Sequence, residues 1–121
     1  MYMYILGILL SILYMLAKYT YDGDQLISSN DAKKSIDHGH IQHVIDVRTP
    51  AEYNIGHYPG SMHIPVHMIS KKSLKASGVK KNDSVIVYCN TGQRARFAAE
   101  KMKRFGYTNV QYIAGSYTSL Q

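Results

Sequence analysis

The chain has 121 residues, of which 45% are hydrophobic and 18% charged, and it contains one cysteine. That composition supports one modest packed domain, and a lone cysteine excludes an internal disulfide scaffold and a cysteine zinc site. The net charge of +6 is uneven: residues 1–70 carry four Lys/Arg against six Asp/Glu, whereas residues 71–121 carry ten against two. A field of that sign draws small anions, nucleic acid or anionic lipid, and charge alone does not choose among them.

The first stretch, MYMYILGILLSILYMLA (residues 1–17), has no charged side chain. As a helix it spans roughly 25 Å against a bilayer core of about 30 Å, and extension through Tyr19 and Tyr21 closes the gap. Tyr2, Tyr4, Tyr19 and Tyr21 suit the two interfaces. Residues 1–20 are expected to form a single transmembrane anchor. A cleavable secretory signal fits less well, because no Lys or Arg precedes the apolar run and no small-x-small site follows it. Lys18, Lys33 and Lys34 come after the segment, so the positive-inside rule places the long C-terminal part on the cytoplasmic side of a single-pass protein. A reducing compartment suits a free thiol.

Residues 21–29 read as a linker, and a domain is expected over residues 30–121. Asn30 or Ser29 caps a helix to about Asp37, with Gly39 ending it. HVIDV (43–47) reads as a buried strand. TPAEY then supplies a cap at Thr49, Pro50 at the first helical position and Glu52 to complete a capping box. GHYPGSMHIP is loop chemistry around a brief strand at 62–64, and a short helix falls within 66–76. SVIVY (84–88) is the clearest strand. After CNTG, Ala95, Ala98, Ala99 and Met102 recur at helical spacing, with Lys101, Lys103 and Arg104 toward the C-terminal end and Gly106 after it. A last strand covers 110–113. Strands alternating with helices at these distances predict an α/β fold with a parallel sheet.

Cys89 stands where strand SVIVY gives way to a helix. Backbone N–H groups and the positive end of the helix dipole converge there, and both favour a thiolate. Arg94 and Arg96 add positive charge. Asn90, Thr91 and Gly92 suit a tightly curved loop whose amides form an anion nest. Most single cysteines are small buried residues. Strand end, glycine-bearing turn, arginine and helix start together favour a nucleophile.

CNTGQRA resembles the active-site loop of rhodanese-like sulfurtransferases, a Cys-x-x-Gly-x-Arg-Ala or -Ser pattern. DVRTPAEYNIGHYPGSMHIP (46–65) is similar to that family's second signature, and with FGYTNVQYIAG (105–115) the resemblance covers nearly everything from about Asp22 onward. The resemblance implies a rhodanese-like parallel sheet flanked by helices. It also implies that Cys89 takes sulfur from a small anionic donor such as thiosulfate or a persulfide, becomes a persulfide, and passes the sulfur to an external thiol or other acceptor. Asn90, Thr91, Gly92, Gln93 and Arg94 would form the cradle, with Arg94 beside the sulfur. Asp46 and Arg48 would brace the fold beneath it, with Arg48 and Glu52 at ion-pair spacing. No cofactor is implied. The sequence departs from the family at AGSYTSLQ, where Ser116 replaces a second glycine, so the closing helix is expected to be absent or reduced.

Related cysteine-dependent phosphatases and arsenate reductases use a cysteine-to-arginine loop one residue longer, and the six-residue form here favours sulfur transfer. Non-catalytic docking modules of this family commonly lose the cysteine that this chain keeps. His38, His40, His43, His57, His63 and His67 lack cysteine or carboxylate partners at ligand spacing and read as turn histidines, not a metal site. The basic run from Lys71 to Lys81 has no interleaved aromatics, so nucleic acid is not expected as a partner.

Overall fold

The computed structural model describes residues 1–121 and contains four strands, five α-helices and two 3₁₀ turns. Helix α1 runs Tyr2–Tyr21, α2 Ser29–Asp37, α3 Pro50–Ile55, α4 Lys71–Ser77 and α5 Gln93–Arg104. Strands β1 (His43–Asp46), β2 (Met62–His63), β3 (Ser84–Tyr88) and β4 (Asn109–Tyr112) form one parallel sheet in the order β2-β1-β3-β4. The expected α/β architecture is therefore the observed one. Boundaries move by a residue or two: Ser28 caps α2, accepting the Asp31 N–H at 3.1 Å, one residue ahead of the expected cap.

The central strand explains the layering. Alternate side chains of a strand point to opposite faces. Val85 and Val87 enter a core with Leu74 of α4 and with Ala95, Ala98, Ala99 and Met102 of α5, while Ile86 and Tyr88 meet Ala32 of α2 and Leu120 on the other face. Each valine so buried contributes roughly 1.5–3 kcal/mol. The three alanines of α5 present little bulk to the sheet and so allow the helix to lie close against it. Thr49 and Glu52 form the expected capping box at α3, and Ser70 and Ser73 form a second at α4.

After β4 the chain makes a 3₁₀ turn, Tyr117–Leu120. Leu120 is buried in the α2-side core, and Tyr117 packs against Tyr88 with the rings tilted and their centroids 6.0 Å apart. Residues 21–29 join α1 to α2 along the sheet: Leu26 bridges Tyr112 in parallel, Ile27 N–H donates to Tyr112 O at 2.9 Å, and Gln25 Nε2 donates to Ala99 O and Val110 O.

Candidate active site

In an open parallel sheet the strands' C-terminal ends, crowned by loops and helix N-termini, are where ligands are held. β1 and β3 are adjacent, with Asp46 in register with Tyr88. The turn after β1 and the Cys89 loop after β3 therefore emerge side by side. That adjacency brings the two sequence signatures together.

Cys89 is 1% exposed, and its Sγ accepts the Gly92 N–H at 3.1 Å. The N–H groups of Asn90, Thr91, Gln93, Arg94 and Ala95 donate to no acceptor within the chain. The last three are the unsatisfied donors that every helix leaves in its first turn, here those of α5. Gly92 sits at φ +106°, a left-handed conformation suited to glycine. A Cβ there would meet Thr20 Cγ2 at 2.7 Å and Ala114 Cα at 3.0 Å. The loop thus curls around the sulfur with donors to spare, an arrangement suited to an anion.

Arg94 is held by Glu52. Its two terminal nitrogens donate to the two carboxylate oxygens at 2.7 and 3.0 Å, and Asn90 Nδ2 donates to the same carboxylate. Arg94 first, then the Thr49 backbone N–H, hold the Glu52 carboxyl well below the usual carboxylate range. The Arg94 guanidinium is held above its ordinary value chiefly by Glu52, with a smaller contribution from Cys89. The Arg48–Glu52 pair expected from spacing does not form. Glu52 points over the Cys89 loop, while Arg48 turns inward.

There Arg48 meets Asp46, with Nε 3.1 Å from both carboxylate oxygens and a terminal nitrogen 2.7 Å from Oδ2. The same nitrogen donates to Gly56 O at 2.6 Å. Tyr88 donates its hydroxyl to Asp46 Oδ2 at 2.6 Å and accepts the Tyr58 N–H. Burial, reinforced by the Asp46 carboxylate, pushes the Tyr88 phenol up to about 12. Asp46 and Arg48 are both buried, so this is a satisfied internal ion pair under the loops. Sequence reasoning missed Tyr88 and the role of Glu52 in gripping Arg94. It also missed Thr20, which is 1% exposed, accepts Gln93 Nε2 at 2.6 Å and offers its carbonyl to the Tyr112 hydroxyl.

The histidines are dispersed. His38, His40 and His67 are exposed. His43 pairs with Asp83 at 2.9 Å, and His57 and His63 stack on the two sides of Tyr53 at 3.7 and 4.3 Å.

The family model described as Rhodanese-like domain matches residues 28–121. The chain belongs to the rhodanese-like family. Among its relatives, thiosulfate sulfurtransferase PspE of Escherichia coli (strain K12) is 38% identical over 74 residues, covering 61% of this chain and 70% of that protein. A sulfurtransferase of Allochromatium vinosum is 32% identical over 72 residues, covering 60% of this chain and 64% of that protein. The match to several longer relatives spans under half of their length. The structure of the human single-domain sulfurtransferase TSTD1 superposes with a TM-score of 0.68 over 80% of this chain and 95% of that one, at 24% identity, a likeness of rhodanese fold.

Proposed function

We propose that the protein is a sulfurtransferase that moves a sulfane sulfur from a small anionic donor, thiosulfate or a persulfide, to a thiophilic acceptor through a Cys89 persulfide. The observation that carries this reading is the loop itself: one N–H already on Cys89 Sγ at 3.1 Å, and further loop N–H groups without an acceptor in the chain. The thiolate attacks the outer sulfur of thiosulfate, the S–S bond of the donor breaks, and sulfite leaves with the electron pair. The persulfide keeps one negative charge, which the N–H groups from Asn90 to Arg94 and the Arg94 guanidinium stabilise. An acceptor thiolate then takes the outer sulfur and returns Cys89 as thiolate. Cys89 is the only cysteine in the chain, so that thiol is external. Asp46 and Arg48 act beneath the loops as structural supports.

The test is intact mass after incubation with thiosulfate, with Cys89→Ser in parallel, followed by cyanide. A gain of one sulfur that requires Cys89 and is discharged as thiocyanate is expected. No gain from thiosulfate or from a persulfide donor ends the reading and moves attention to phosphate esters and arsenate as substrates or to a docking role.

The division proposed is an anchor over residues 1–20, a connecting segment over 21–29 and the rhodanese-like domain over 30–121, with the domain in the cytoplasm. In support, α1 is long and apolar enough to cross a membrane, and most of its large apolar side chains are exposed. Protease protection of inside-out and right-side-out vesicles decides the side. Release of the intact chain into the soluble fraction would refute the anchor.

A further inference from the structure

We infer that Thr20, in the last turn of α1, is a positioning residue for Cys89: by way of Gln93 it fixes the Gly92 N–H on the sulfur. This rests on the sulfur-transfer reading. Thr20 is the one buried residue of α1, at 1% exposure on a helix whose leucines and isoleucines stand exposed. Burying a threonine in place of those apolar neighbours reverses the usual choice, and the Cys89 loop is what meets it, at Gly92 and Gln93. Three further contacts fasten this turn to the domain. Tyr112 donates its hydroxyl to the Thr20 carbonyl at 2.6 Å, Arg96 donates to the Tyr19 carbonyl, and the Arg96 guanidinium lies 4.0 Å from the centroid of the Tyr19 ring.

From there a chain of hydrogen bonds runs in one direction into the loop. The Leu16 carbonyl can only accept, so the Thr20 hydroxyl gives its proton there, at 2.9 Å, and keeps a lone pair for Gln93 Nε2, which donates to it at 2.6 Å. Gln93 Oε1 in turn accepts the Thr91 hydroxyl. Thr91 and Gln93 flank Gly92, whose N–H lies 3.1 Å from Cys89 Sγ. Gly92 has no side chain of its own to hold its peptide in place, so tying both neighbours sets the direction of that N–H. In loading, the Cys89 thiolate attacks the outer sulfur of thiosulfate, the donor's S–S bond breaks, and sulfite leaves with the electron pair. Thr20 touches neither reactant and moves no proton. It acts on the N–H already spent on the nucleophile, not on the free N–H groups left for the donor, so its effect belongs to the rate of attack more than to donor binding.

The experiment uses the full chain in lipid nanodiscs and follows single-turnover sulfur loading of Cys89 by intact mass across a range of thiosulfate concentrations. Thr20→Val is expected to lower the saturating rate about fivefold, the value of one partly buried hydrogen bond, with the half-saturating concentration nearly unchanged. Thr20→Ser, which keeps the hydroxyl, should restore the rate. Gln93→Met should match Thr20→Val, and the double variant should lose no more than either alone, since the two side chains act as a unit. If Thr20→Val does not fold, Gln93→Met carries the test: a fivefold loss supports the tie and an undiminished rate overturns it. An undiminished rate in folded Thr20→Val, a loss that Thr20→Ser shares, a loss confined to the half-saturating concentration, or losses that multiply in the double variant each overturn the positioning role and leave sulfur transfer standing. Failure of the unaltered chain to load Cys89 overturns both.

Discussion

Two carboxylates decide how the site is held. Asp46 is fully buried and shared by Arg48 and Tyr88, so removing one cation strands a charge in the interior. Arg48→Ala is expected to cost about 3–5 kcal/mol, read from denaturant unfolding. A loss under 1 kcal/mol would mean water reaches Asp46. Glu52 works at the surface, its side chain 29% exposed and that of Arg94 33%. Its folded-state value lies below the ordinary 4.5, so the unfolded chain takes up the proton first as pH falls. Its stabilisation is therefore complete above that ordinary value and drains away as acid is added below it, and solvent weakens the pair enough that the carboxyl itself is the better reporter. In a pH titration followed by NMR, Glu52 should titrate well below 4.5 in the native chain and move up toward it in Arg94→Ala. A native midpoint near 4.5 would break the assigned clamp. Spacing alone assigned Glu52 to Arg48. From sequence, the i, i+4 relation is visible and the approach of a loop 42 positions away is not.

At the scale of elements, the strands and α5 were legible because their signals are local: β-branched SVIVY, and a stripe of alanines ending in basic residues. The two motifs announced the Cys89 loop, but only strand order places the turn after β1 beside it. The last turn of α1 was not legible, since its partners lie more than 70 residues away in Gln93 and Tyr112. Thr20 keeps the side chain of Gln93 tied, and the absence of a Cβ at Gly92 makes room for it. Thr20→Val keeps the shape and removes the acceptor. Loss of one partly buried hydrogen bond of roughly 1 kcal/mol should speed amide exchange of residues 90–95 about fivefold, with little change elsewhere. Unchanged exchange would show that α1 merely rests on the loop.

Over the whole molecule the charge is polarised, with ten of the fourteen Lys/Arg after residue 70, the half that carries the Cys89 loop. A long-range attraction of this kind is screened by salt. Sulfur loading from thiosulfate should slow about severalfold between low and physiological ionic strength, while loading from a neutral trisulfide stays nearly constant. Equal salt sensitivity for both donors would remove steering from the account. Composition disclosed the imbalance, and the fold accounts for its place: Arg94 and Arg96 lie on the helix that starts at the cradle.

Through Thr20 the first helix touches the loop that carries Cys89, at Gln93 and at Gly92. A rod held at one end acts as a lever, and a change in its angle is felt first at that contact. Bilayers set the angle of a spanning rod through their thickness. If the chain is anchored and transfers sulfur as proposed, bilayer thickness would reach the Cys89 loop through this one contact.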